Sequence, residues 1–358
     1  MYNQIEIHKT EYSGKYLLIT KSKTLYVGFI VKDVLDFLKC GLNNDIITFK
    51  INEKHNIDLS LESINNIKIS IDEFLINEEN SNLHRLVKLF NPNKISISKT
   101  VAKIFFKKYF YLLLIISLIL NIIAYVFAPV YSDINTYQHW LIFSAILVIL
   151  IFHEIGHSIA AKSFNIDVNE IGFGLYYIFP VLYVDLNQSW KLKKKKRIII
   201  NLSGIYIQLM IGVLLVFISY LLNDNKVIVS IFKINFYIIL LNLNPFFKFD
   251  GYWVLSDWLE ENNLMKKSKD LIKTKFKTNK SKKPKLWVVF YTVLRVIFLI
   301  YIIFMVLKNF ILITKKIFSD MNLTTSENIF ILIAIFFITK LIITKIKVSK
   351  NEFKTRKG

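Results

Sequence analysis

The stretch LIFSAILVILIFHEIGHSIAAK, residues 141–162, joins a long apolar run to a cluster of ionisable side chains. The run is long enough to cross a bilayer as an α-helix, which takes about 20 residues. Ionisable side chains in such a span cost roughly 2.5 to 3.5 kcal/mol each at the bilayer centre, so three of them within two turns need compensation. The stretch therefore predicts a membrane helix that carries a polar site.

The ionisable cluster is HEIGH, residues 153–157. His153 and His157 are four residues apart, which places both imidazoles on one helical face, about 6 Å apart along the axis. Two such imidazoles can bind one metal ion while Glu154 reaches the metal-bound water as general base, and zinc is the expected metal. A bound zinc ion would supply the missing compensation. The alternative is that neighbouring helices satisfy the two histidines and the glutamate.

A third ligand is expected because catalytic zinc ordinarily has three protein ligands. LNLNPFFKFDGYW, residues 241–253, contains the best placed carboxylate, that of Asp250. Asn244 and Pro245 break the preceding helix, and Gly251 permits a tight bend that would turn the carboxylate toward the bundle. The alternative role for Asp250 is a helix cap that faces the cytoplasm.

Composition agrees with a membrane protein. The 358 residues are 54% hydrophobic, carry a formal net charge of +21 and have a mean hydropathy of +0.43, values that argue against a cytosolic, a disordered or a collagen-like chain. The single cysteine, Cys40, excludes an intramolecular disulfide, and the chain has no Cys/His pattern of a zinc finger.

Hydropathy predicts a polytopic α-helical membrane protein of about six spans. They lie at residues 109–130, 139–161, 198–222, 227–246, 286–307 and 329–346. Lysines gather before the first, third and fifth spans, which predicts a multi-pass protein of the cell membrane with both termini in the cytoplasm. The run KLKKKKR, residues 191–197, fits such a boundary and contact with anionic lipid better than a nucleic-acid site, so no nucleic-acid partner is expected.

The first 92 residues contain short β-rich runs and amphipathic helical patterns instead of long apolar runs, and they predict a small α+β cytosolic domain. YLLIT (residues 16–20) and LYVGF (residues 25–29) read as a hairpin, and helical periodicity follows, in a winged-helix-like order of hairpin plus three helices. The other predicted segments are a basic linker (93–108), a membrane core (109–252) with a re-entrant segment (171–186), a Lys-rich cytoplasmic loop (253–285), and C-terminal spans with a basic tail (286–358).

HEIGH together with NPFFKFDG (residues 244–251) resembles the two metal motifs of the site-2 protease family of intramembrane zinc metalloproteases. The likeness covers residues 141–257. It implies that His153, His157 and Asp250 hold one zinc ion and that Glu154 is the catalytic base.

The same likeness implies amide side chains that hold the substrate or its oxyanion. Family members have an asparagine after a span of small residues. Here NLSGIYIQ, residues 201–208, has Gly204 but ends in Gln208 instead. Gln208 and Asn244 are therefore the residues predicted for this role.

Two further resemblances concern the substrate. GFGLYYIFPVLYVDLNQSW, residues 172–190, resembles a subgroup of peptide zinc metalloproteases encoded beside ribosomally made peptides. Residues 171–186 are too short to span, so they predict a re-entrant hairpin whose free edge pairs with an unwound substrate, or else an amphipathic surface loop. The N-terminal domain resembles leader-peptide recognition domains, with residues 25–29 or the partner strand as the docking strand; a simple cytosolic cap is the alternative.

The function predicted from the sequence is an intramembrane zinc metalloendopeptidase that cleaves a ribosomally made peptide or its leader. Regulated cleavage of a single-span signalling protein is one alternative, although the loops on the far side are too short for a sensor domain. A non-proteolytic peptide exporter or immunity protein is the other, although an intact base beside intact ligands argues against it. The expected partners are a peptide or membrane-protein substrate and the lipid bilayer, and the sequence leaves the oligomeric state open.

Overall fold

The computed structural model describes residues 2–9, 15–20, 24–76, 83–92, 102–131, 133–176, 179–261, 263–275 and 285–318. The chain forms two compact units, Met1–Leu264 and Met265–Gly358. The first unit contains an N-terminal α+β domain and a helical core, and the second is helical in the part described.

The N-terminal domain is a three-stranded sheet followed by three helices. After a 3-10 turn at Tyr2–Gln4, the strands β1 (Glu6–Lys9), β2 (Lys15–Ile19) and β3 (Thr24–Gly28) pair antiparallel in chain order, and α1 (Phe29–Lys39), α2 (Asn44–His55) and α3 (Leu61–Ile76) follow. The predicted hairpin and three helices are present. Strand β1 was not predicted, because EIHK carries only one apolar residue.

Both faces of this sheet are covered. Leu18 and Val27 pack against the helices in one cluster with Val34 and Leu35. Leu17 points to the opposite face and is nonetheless fully buried. The sheet is therefore a middle layer, with its own helices on one side.

The segment that covers the second face is a 3-10 turn at Asn187–Lys191, in the helical core. The Tyr26 ring, which is on the same face as Leu17, lies 6.1 Å from the Trp190 ring. Glu6 of β1 forms an ion pair of 2.5 Å with Lys191. The N-terminal domain is thus docked on the core just before the third long helix.

The helical core comprises α4 (Phe110–Phe127), α5 (Thr136–Ser163), α6 (Lys194–Leu221), α7 (Lys226–Asn242) and α8 (Asp250–Trp258). Among the described residues, α4, α5, α6 and α10 (Leu286–Phe318) are long and apolar enough to cross a membrane. Helix α7 occupies the fourth predicted span, but its 17 residues rise about 26 Å, less than the bilayer core of about 30 Å. The sixth predicted span lies outside the described residues.

A second antiparallel sheet lies beside the helices, in the order β4 (Leu83–Phe90), β5 (Ile171–Tyr176) and β6 (Phe179–Val184). Strands β5 and β6 form the hairpin predicted for residues 171–186. Strand β4, from the segment assigned to the N-terminal domain, pairs with β5 and thus covers one edge of that hairpin. Arg85 of β4 forms an ion pair of 2.8 Å with Glu170, which precedes β5.

Small residues bring α5 and α6 into close contact. A Cβ atom built on Gly156 of α5 would lie 2.8 Å from the carbonyl oxygen of Ser203 on α6. The backbones therefore approach as closely as helices packed through small residues do in membranes. This approach places the polar part of α5 directly against α6.

The second unit contains most of α9 (Leu264–Lys275) and the long helix α10. Arg295 of α10 donates a hydrogen bond of 3.3 Å to the Ser268 hydroxyl of α9. The predicted Lys-rich loop thus includes helix α9, and residues 276–284 of that loop lie outside the described part of the chain.

Candidate metal centre

Three donor atoms meet where α5, α6 and α8 come together. The Nε2 atoms of His153 and His157 are 3.0 Å apart. Oδ2 of Asp250 lies 3.0 Å from Nε2 of His153 and 3.5 Å from Nε2 of His157. Both histidines are buried, and the Asp250 side chain is 19% exposed. Within the described part of the chain, the ligand atoms of these three side chains lie close enough together to share one metal ion.

The other ring nitrogen of each histidine is engaged by an oxygen that can only accept. Nδ1 of His157 donates to the carbonyl oxygen of Ile200 at 2.7 Å. Nδ1 of His153 donates to Oε1 of Gln208 at 2.8 Å. In the neutral rings, the single proton therefore sits on Nδ1 and the Nε2 lone pairs point at each other and at Asp250.

This arrangement fits a zinc ion. With both ring protons on Nδ1, neither Nε2 atom can donate to the other. Oδ2 of Asp250 is buried without a hydrogen-bond partner. Three acceptors that face one another are stabilised by a cation at their centre. Tetrahedral zinc with bonds of about 2.0 Å sets its ligands about 3.3 Å apart, and the three donor separations, 3.0, 3.0 and 3.5 Å, match this value.

Gln208 lies in a chain of amides that fixes its orientation. Asn235 of α7 donates through Nδ2 to the backbone oxygen of Gln208 at 3.0 Å, which leaves Oδ1 of Asn235 to accept from Nε2 of Gln208 at 3.2 Å. The Gln208 amide must then present Oε1 to His153. Both amides are fully buried. The structure thus places Gln208 behind His153, a candidate metal ligand, whereas the predicted role of Gln208 toward substrate or oxyanion stays a prediction.

Gly204 of α6 forms the floor of the site. A Cβ atom at this position would lie 2.5 Å from Nε2 of His157 and 2.6 Å from Nε2 of His153. No side chain larger than hydrogen fits beneath the two imidazoles. Gly204 belongs to the stretch NLSGIYIQ, and its missing side chain makes room for the imidazoles of His153 and His157.

Asp250 is the first residue of α8, at the point predicted from the helix break. Oδ1 of Asn244 accepts a hydrogen bond from the backbone N–H of Phe246 at 2.8 Å, which stabilises the turn that follows α7. A Cβ atom on Gly251 would meet the carbonyl oxygen of Leu243 at 2.1 Å, so α8 can begin this close to the end of α7 only with glycine there. The predicted substrate role of Asn244 stays a prediction.

Glu154 follows the first histidine on α5 and is half-buried. Its carboxyl group interacts electrostatically with His153, His157 and Asp250, which places it at the edge of the centre. The four residues predicted for zinc binding and catalysis are thus together. Sequence reasoning missed Asn235 and the Ile200 carbonyl group; the only signal for Asn235 was an amide inside an apolar helix.

Comparison with known proteins adds two similarities. Residues 141–231 match the model of peptidase family M50. Over 159 residues the chain is 27% identical to the Bacillus subtilis (strain 168) protein named "Putative peptide zinc metalloprotease protein YydH", an alignment that covers 42% of this chain and 63% of that relative. No solved structure matches the chain.

The family match begins on α5 and ends in α7, so it contains both histidines and the glutamate. Family M50 is one of zinc enzymes, which agrees with the donor set formed by His153, His157 and Asp250. The family match and the named relative therefore show that the membrane core of this chain is similar to peptidase family M50.

Proposed function

We propose that this protein is an intramembrane zinc metalloendopeptidase that cleaves a ribosomally made peptide, or its leader, at the membrane. The observation that carries the proposal is the meeting of two Nε2 atoms and one carboxylate oxygen within 3.5 Å of one another between apolar helices. Such a site is costly inside a bilayer without a metal ion. The similarity to a relative named as a peptide zinc metalloprotease supports the same activity.

His153, His157 and Asp250 would hold the metal. Zinc bound there supplies a Lewis acid that makes water a better nucleophile near neutral pH and polarises the scissile carbonyl group. The chain's own contribution is to keep both Nε2 atoms free of protons, because Gln208 and the Ile200 carbonyl group hold the ring protons on Nδ1.

Glu154 would be the general base. It stands next to the first histidine, within electrostatic reach of all three ligands, where a carboxylate can take the proton of the attacking water. The same proton can then pass to the amine of the leaving segment, so that the base is regenerated. Neither step requires another ionisable side chain.

The substrate is an extended peptide in this proposal. Proteases bind their substrates as strands, and the β4–β5–β6 sheet lies beside α5, with β4 on one edge and β6 on the other. The N-terminal sheet has a second candidate edge in β3, where Leu25 is 39% exposed. The strand order followed by three helices supports leader binding at β3.

The test uses detergent-purified full-length protein. Elemental analysis should give about one zinc per chain in the wild type and in Glu154→Gln, and a loss of zinc in His157→Ala. Co-expression with small peptides encoded beside the gene, followed by mass spectrometry, should show cleavage with the wild type only. A folded wild type that holds no zinc after reconstitution, or a Glu154→Gln variant with full activity, would overturn the proposal.

A further inference from the structure

Asp250 depends on the placement of a short helix. Helix α8 has nine residues, and Asp250 is the first of them. An isolated helix of this length is not stable in water, so contacts with neighbouring elements must set its position. The position of the Asp250 carboxylate therefore depends on the contacts that hold α8 in place.

A buried ion pair joins the other end of α8 to α6. Asp257 accepts through Oδ1 from Nε and Nη2 of Arg197, at 2.9 and 2.5 Å. Both side chains are buried, each with 7% relative exposure. Arg197 also donates through Nη1 to the carbonyl oxygen of Leu192, just before α6, at 2.8 Å, which helps to fix the orientation of the guanidinium group.

Asp250 and Asp257 lie on the same side of α8. They are seven residues apart, which is almost two whole turns, or about 10 Å along the axis. One carboxylate thus faces the histidines and the other faces Arg197, both toward the side where α6 packs. A rotation or a slide of α8 that broke one of these contacts would move the other.

Aromatic rings cover the ion pair. The Arg197 guanidinium carbon lies 5.1 Å from the centre of the Trp190 ring. That ring is also 5.9 Å from the ring of Trp253 on α8, in an edge-to-face arrangement. Such a cover keeps water from the pair and strengthens it, since a buried charge loses less of its attraction to screening.

We propose that Arg197 and Asp257 are positioning residues for the metal centre. Their buried pair, covered by Trp190, fixes α8 against α6 and thereby holds the Asp250 carboxylate at the two histidines. This inference rests on the proposed metal centre and adds to it two residues outside the group of candidate metal ligands.

The test is cobalt binding by the full-length protein in detergent. Cobalt(II) takes the place of zinc in tetrahedral sites, and its visible absorption reports how the ligands are arranged. In Asp257→Asn we expect weaker and shifted absorption bands and an apparent cobalt dissociation constant raised about tenfold or more, the usual effect of losing a contact that orients a ligand. Arg197→Lys keeps the charge but not the two-nitrogen fork, and we expect a smaller change in the same direction.

The matched control is Glu260→Gln. Glu260 follows α8 and pairs with Lys194 of α6, so it too joins these elements, but its side chain is 46% exposed. We expect cobalt absorption and affinity equal to those of the wild type, because exposed pairs contribute little.

Two results would overturn the inference. One would affect the positioning role alone, and the other would also affect the proposed function. Wild-type absorption and affinity in a folded Asp257→Asn protein would remove the positioning role and leave the metal centre intact. If Asp257→Asn fails to fold, the same result in Arg197→Lys decides the question. A wild type that binds neither cobalt nor zinc would overturn the proposed function itself, and this inference with it.

Discussion

Gly204 of α6 lies directly beneath the imidazoles of His153 and His157. In Gly204→Ala, the added methyl group would stand 2.5 and 2.6 Å from the two Nε2 atoms, far inside van der Waals contact. We expect the variant to fold and to lose most of its zinc, as elemental analysis would show. Gly28→Ala is the control, because a Cβ atom there meets nothing within 4 Å. A wild-type zinc content in Gly204→Ala would contradict the close packing of Gly204 against the two imidazoles.

Gln208 and Asn235 provide a graded test of the amide chain behind His153. Gln208→Leu removes the acceptor for His153 Nδ1, and we expect zinc affinity to fall by about 10- to 100-fold. Asn235→Leu removes only the group that orients Gln208, so we expect a smaller loss. Chelator competition measures both constants. Equal zinc affinity in the wild type, Gln208→Leu and Asn235→Leu would show that the His153 tautomer does not depend on the Gln208 and Asn235 amides.

The sequence predicts the ligands of the site better than their supports. HEIGH is recognisable because ligand spacing on a helix is local, and Asp250 follows from a visible helix break. The hydrogen bond from His153 to Gln208 was not predicted, because the rotation of Gln208 about α6 is not apparent from the sequence. The Arg197–Asp257 pair joins residues 60 positions apart, and such a contact exists only after α8 has packed.

At the scale of elements, Asp33 connects α1 to α2. Its buried carboxyl group lies within 3.0 Å of Lys32, Lys54 and His55. Burial alone would raise the pKa of this carboxyl group, but these hydrogen bonds prevail and lower it from 3.8 to about 2. Its contribution to stability is then fully present above pH 3.8 and is lost as the pH falls toward 2.

Hydrogen exchange of α1 and α2 in the full-length protein measures this contribution. Between wild type and Asp33→Asn we expect a difference in opening free energy of about 2 kcal/mol near pH 6, which disappears near pH 2. Asp33→Asn also serves as the control, because any pH dependence of exchange that it retains must come from groups other than the Asp33 carboxyl group. A difference that persists unchanged at low pH would show that the Asp33 charge is not the cause.

Elements with local signals were predicted and those with distant partners were not. The hairpin β2–β3, the three helices of the N-terminal domain and the β5–β6 hairpin all follow from patterns within a few residues. Strand β4 pairs with residues about 90 positions later, so nothing in LHRLVKLF marks its partner. Helix α7 ends at Asn242, before the predicted span does, because the turn stabilised by Asn244 begins there.

At the scale of the whole first unit, the docking of the N-terminal domain can be tested without reference to activity. Glu6 and Lys191 are 2.5 Å apart across the contact, so a zero-length carbodiimide reagent should join them, as mass spectrometry would show. Asp133, in the loop before α5, and Lys226, the first residue of α7, are 2.9 Å apart at the other end of the helices and are the positive control. Lys191→Arg should abolish the first cross-link only. Formation of the second cross-link without the first would contradict the docked arrangement.

Leader binding by the N-terminal domain, as proposed above, can be tested at the β3 edge. If β3 binds a leader, Leu25→Asp should raise the KM of a leader-bearing peptide about tenfold and leave its kcat unchanged, because the strand lies outside the metal centre. The same peptide without its leader should be cleaved equally by both proteins. Phe49→Asp, on an exposed position of α2, is the matched control for a new surface charge. If Leu25→Asp and Phe49→Asp changed KM equally, the leader would not bind at β3. If Leu25→Asp changed kcat, β3 would affect the catalytic step.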